Sequence, residues 1–219
     1  MSSASLGART PAAPTLLAAG TLLALVAWAW RLAAVHGEHE MIWGQITVGA
    51  ILAGFAALGW LRSARVGMTA PQIMLLLGAV GMVGGLAHDE HAGGFAALVS
   101  LCRAGPGSFL STLRLHWQLL PGMHLGMIAG GLATVPLLRG LRRGCRRQFC
   151  ARLLQNLACS AWMVAGMGAG TLVFGNLAAW AGERSAPAVL GGMFVGMVWG
   201  MVASVAMYRL WFGLRSTPG

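Results

Sequence analysis

Residues 187–208 read PAVLGGMFVGMVWGMVASVAMY, an unbroken apolar run without one charged side chain. At 1.5 Å per residue, about 20 such positions span the roughly 30 Å hydrocarbon core of a bilayer as a helix. A barrel strand would end after about ten residues and alternate apolar with polar, which this run does not. The stretch therefore reads as a transmembrane helix, because only there is every backbone group satisfied within the segment.

Working outward from it, five more segments meet the same requirement: Pro14 to Val35, Met41 to Leu61, Met68 to Ala87, Trp117 to Leu138 and Asn156 to Trp180. Thr69, Pro71 and Gln72 interrupt the start of the third. The segment at Pro14 exceeds the roughly 7 to 15 residue core of a cleaved signal peptide and lacks a convincing small-x-small site, so it reads as a first span. The expected fold is an all-α integral membrane protein, a bundle of about six transmembrane helices. Residues 14–208 form one membrane domain, between a disordered tail at 1–13 and a second tail at 209–219.

Composition agrees. With 57% hydrophobic and 9% charged residues and a mean hydropathy of +0.71, too little polar surface remains for a soluble globule. The net charge of +10 sits between apolar spans, where it acts as a topology signal, and nucleic acid is excluded as a partner. All 15 basic residues are Arg, which together with the Ala and Gly content fits a GC-rich bacterial genome. Arg9, Arg62, Arg65, Arg139, Arg142, Arg143, Arg146, Arg147, Arg152, Arg209 and Arg215 fall on one side of alternate spans, and only Arg31, Arg103, Arg114 and Arg184 on the other. The positive-inside rule then places the protein in the bacterial inner membrane with both termini and the Arg139 to Arg152 loop cytoplasmic.

On the outer side, Phe95, Leu98 and Leu101 have helical spacing before a Gly105-Pro106-Gly107 break. That pattern predicts an interfacial helical segment between spans three and four, lying over the outer mouth of the bundle. Ser108 is a plausible N-cap for a second helix that runs into the fourth span and kinks at Pro121. Gly166 and Gly170, and Gly192, Gly196 and Gly200, recur every four residues. Such small-residue stripes let helices approach closely, inside the bundle, in a homo-oligomer or against a partner in a membrane complex.

The polar chemistry is concentrated. His36 to Glu40 (HGEHE) and His88 to His91 (HDEH) hold four of the six His and four of the five acids. Both windows fall on the outer face by the topology above, as do His116 and His124. Histidines three apart share a face of a helix or tight turn, and neighbouring carboxylates complete a shell or orient a ring. Imidazole with carboxylate suits zinc, nickel, iron or oxidised copper. The candidate metal ligands are His36, Glu38, His39, His88, Asp89, Glu90, His91, His116 and His124, with Met123 and Met127 below them. A pH-responsive cluster and plain solvated loops are the competing readings.

Methionine is abundant, 13 in all, and recurs four apart at Met123 and Met127, Met163 and Met167, and Met193, Met197 and Met201. Thioethers are soft ligands that select Cu(I). The spacing resembles the stacked methionine pairs that line the pore of copper transporters, a likeness confined to that four-residue pattern. Methionine is also a flexible filler that packs well against glycine-rich helices. The expected function is binding of a transition metal, copper first, at an outer His and carboxylate cluster, with transport or handling of the ion. The alternatives are a membrane subunit of a haem or di-metal redox enzyme and a non-catalytic accessory subunit.

Overall fold

The computed structural model describes residues 13–32, 40–61, 68–91, 93, 108–141, 149–182 and 186–215. Seven helices account for the regular structure of these residues: α1 (Ala13–Leu32), α2 (Glu40–Leu61), α3 (Ala70–His91), α4 (Phe109–Leu119), α5 (Pro121–Leu141), α6 (Phe149–Trp180) and α7 (Ala186–Arg215). Five contain stretches long and apolar enough to cross a membrane: Met41–Leu61, Ala70–His91, Pro121–Leu138, Leu153–Trp180 and Ala186–Trp211. The apolar part of α1, Thr15–Arg31, is shorter. The described residues are therefore all helical, and the protein is a membrane protein.

The residues that seemed to interrupt the third span are its start signal. Thr69 N–H donates to Gln72 Oε1 at 2.8 Å and Gln72 N–H to Thr69 Oγ1 at 3.4 Å, a capping box that satisfies two of the helix's orphan donors. Gln72 also donates from Nε2 to Thr15 Oγ1 at 3.3 Å, tying α3 to α1.

Two helix pairs dominate the packing, α6 with α7 and α3 with α5. In the first, a methyl group built on Gly166 would strike the Gly196 carbonyl oxygen, one on Gly170 that of Gly192, and one on Gly200 that of Trp162. The glycine stripes thus face each other within one chain. The second pair uses the same device, with Gly81 against Gly126, Gly85 against Gly122 and Gly130 against Leu77. Where packing rather than water drives association, such backbone contact maximises dispersion.

Helix α7 is the central element, packed by α6 and α2 and touched by α1 and α3. Its Met193, Met197 and Met201 are fully buried. On α2, Gly54 lies against Val198, and Thr47 fills the space that Gly191 leaves open.

The fourth span begins later than expected, at Pro121 rather than Trp117, and Pro121 starts a helix instead of kinking one. Leu120, at φ −130° and ψ 53°, ends α4 and donates its N–H to His116 O at 2.9 Å. Proline is suited to the first helical position, where its missing N–H is no loss. Ser108 does cap α4, accepting from Ser111 N–H at 3.3 Å. Helix α4 runs from Phe109 and Leu113, which pack against Gly168 of α6, to His116, which faces His124 of α5. It therefore packs along α6 and ends beside the first turn of α5. The helix expected around Phe95, Leu98 and Leu101 lies outside the described residues, as does the tail expected at 1–13 apart from Ala13, which opens α1.

Candidate functional site

Helix α5 opens with a difficulty. Its N-cap position is Leu120, which has no side-chain acceptor, and its first residue has no N–H, so Gly122 and Met123 carry the first free donors. Asp89, from the last turn of α3, supplies the acceptors. Its Oδ1 accepts from Gly122 N–H at 3.0 Å and its Oδ2 from Met123 N–H at 2.8 Å. The carboxylate is 4% exposed, and it sits at the positive end of the α5 dipole. A charge-assisted cap supplied from a different helix fixes the ends of α3 and α5 together.

The next residue, His124, is fully buried. Its Nδ1 lies 2.9 Å from Leu120 O, and since a carbonyl can only accept, Nδ1 carries the proton. In the neutral ring the lone pair is then on Nε2, which is buried and has no hydrogen-bond partner. Backbone anchoring of one ring nitrogen to present the other is the tautomer choice of metal-ligating histidines. Trp117 stacks on the ring, centroids 5.1 Å apart and planes at 28°.

His116 approaches from α4, with ring centroids 5.8 Å from His124 and planes at 44°. It is 1% exposed, and its Nδ1 is likewise buried without a partner. Burial above all, then repulsion from His124, pushes its pKa down from 6.5 to about 4. Its imidazole is therefore neutral at physiological pH. An unpaired buried nitrogen costs about 1–3 kcal/mol, and each of these neighbouring rings carries one.

The described residues bring Asp89, His116, His124 and Met123 to one end of the α3 and α5 pair. His88 and His91 share that last turn of α3, but their side chains are exposed, and Glu90 is half-buried. His36, Glu38 and His39 lie outside the described residues. Among the described residues no group of three or more His, Cys, Asp or Glu is placed to hold a metal ion. What exists is a pair of imidazoles, with the fully buried Met123 beside it in the chain and Met127 one turn deeper on α5.

Three features escaped sequence reasoning. The Gly81, Gly85, Gly122, Gly126 and Gly130 seam was legible from the same four-residue spacing that marks α6 and α7. The capping role of Asp89 was not, because it depends on a contact across 33 positions. Met74, fully enclosed on α3, has no methionine four residues away to mark it. No family model, curated protein or solved structure matches this chain.

Proposed function

We propose that the protein is a multi-pass inner-membrane protein that binds a transition metal and passes it into the bundle, copper rather than zinc or nickel. The observation that carries this reading is the pair of orphaned nitrogens, His116 Nδ1 and His124 Nε2, on rings 5.8 Å apart. With metal–nitrogen bonds of about 2.0–2.1 Å, two imidazoles on one ion have centroids about 5 to 6.4 Å apart, depending on the angle at the ion. The thioethers of Met123 and Met127 are the nearest side-chain donors to the pair on α5, and the donor set common to imidazole and thioether favours copper.

In this account α1 is the sixth span, the Arg-rich side is cytoplasmic, and the His116 and His124 end faces outward. The windows at His36, Glu38 and His39 and at His88, Asp89, Glu90 and His91 act as a polar entrance that attracts cations. No nucleotide-binding motif occurs in the sequence, so movement of the ion is passive, ion-coupled or driven by a partner. The test is copper uptake into proteoliposomes by the parent and by a His116→Phe, His124→Phe variant. Phenylalanine retains ring volume and the stack on Trp117 but has no lone pair. At least tenfold slower uptake by the variant is expected, and equal uptake would refute the reading. A coloured protein with a haem absorption band would favour the redox-subunit alternative instead.

A further inference from the structure

Beneath the histidine pair, helices α3, α5 and α6 meet at two glycines that make room for sulfur. A methyl group built on Gly131 would sit 3.3 Å from Met74 Cε, 3.7 Å from Met163 Cε and 3.0 Å from Ser160 Oγ. One built on Gly78 would sit 3.7 Å from Met127 Cγ and 3.7 Å from the same Met163 Cε. Three methionines from three helices thus converge around Met163, all of them buried. Ser160 is 2% exposed, and its hydroxyl has no hydrogen-bond partner although it faces the same point. A purely apolar packing cluster gives no reason for an unsatisfied hydroxyl there, which costs about 1–3 kcal/mol.

We propose that Met74, Met127 and Met163 form a three-thioether site for monovalent copper inside the bundle, with Ser160 Oγ as a weak fourth donor. The chemistry selects the ion. Neutral thioethers are soft and polarizable, bind Cu(I) well and hold hard divalent cations poorly. A monovalent ion also carries the smaller desolvation penalty in a low-dielectric interior, and no carboxylate is needed to neutralise it. Methionine has three rotatable bonds, so the sulfurs can close on the ion without moving the helices. Met123 and Met127, one turn apart on α5, connect the histidine pair to this site. The proposal rests on the metal-handling reading for how the ion arrives, but binding at the thioethers stands by itself.

The test uses the whole protein in detergent, with methionine replaced by selenomethionine and one equivalent of Cu(I) added without oxygen. X-ray absorption at the copper edge should show selenium neighbours, and the single variants M74L, M127L and M163L should each remove one of them. Competition with a Cu(I)-specific chelator should show each variant binding at least tenfold more weakly, while M207L, at an exposed position, matches the parent. Leucine is close in volume to methionine, so folding should survive, and circular dichroism checks this for each variant. Should one variant unfold, the selenium count in the parent still decides. Copper surrounded only by nitrogen and oxygen, or Leu variants that bind as the parent does, would overturn the site. If the His116→Phe, His124→Phe variant takes up copper normally while the selenium shell is present, the entry pathway is wrong and the thioether site stands.

Discussion

Replacing Asp89 by Ala would leave the Gly122 and Met123 N–H groups without their acceptor and the first turn of α5 uncapped. The loss expected is on the order of 1–3 kcal/mol. Asp89→Asn keeps one acceptor oxygen of the two and should fall between parent and Ala, which thermal unfolding in detergent would resolve. Both Asp89 oxygens are turned to the backbone donors of α5, so a positioning role follows for Asp89, while the proposed function rests on the unpartnered nitrogens of His116 and His124. His116 makes a second prediction. Its folded pKa of about 4 lies below the ordinary value near 6.5, so the unfolded chain takes up a proton first as the pH falls. The stability it contributes is fully present above about pH 6.5 and is lost as the pH falls toward 4. Its magnitude is on the order of 2–3 kcal/mol. Thermal midpoints measured from pH 7 to 4.5 should decline in the parent and decline less in His116→Phe.

At the scale of the helices, glycine is the determinant, and its positions are not equivalent. Ala at Gly81, Gly126, Gly166 or Gly196 would press a methyl group into a facing carbonyl, and backbone cannot rotate away as a side chain can. Losses at the upper end of the 1–3 kcal/mol range for overpacking are expected. Ala at Gly49 or Gly59 meets nothing within 4 Å and should be neutral or slightly stabilising, since Ala is the better helix former by up to about 1 kcal/mol. Yield and thermal midpoint of the two groups should separate cleanly. The α6 and α7 stripe was readable because Gly166 and Gly170, and Gly192, Gly196 and Gly200, follow helical spacing within uninterrupted spans. Its use inside the chain, rather than between chains, was not readable, since spacing marks a face without naming what covers it. The late start of α5 was hidden for a related reason. Pro121 serves equally as a kink or as a first residue, and Leu120 carries no capping signal, because the cap is supplied by Asp89 from another helix.

For the whole molecule, hydrophobic run length and the absence of charge made the membrane bundle plain, because a bilayer imposes that requirement on any spanning helix. Side assignment follows from Arg placement alone. Reporter fusions at residue 90 and residue 146 should report opposite sides of the membrane, and the same side for both would remove the shared outer face. The site was legible only in part. His116 and His124 stood out as rare polar residues near a span, but their pairing depends on the break at Leu120 that sets the end of α4 beside the first turn of α5, which no local pattern encodes. Above these stands the proposal that the His116 and His124 rings hold a metal ion. It is tested most directly by elemental analysis and an absorption spectrum of the purified protein beside the His116→Phe, His124→Phe variant. After exposure to Cu(I) the parent should hold one equivalent of copper more than the variant, which keeps only what the thioethers bind, and neither should show a haem band. Equal metal content in the two proteins, or a haem spectrum in the parent, would contradict it.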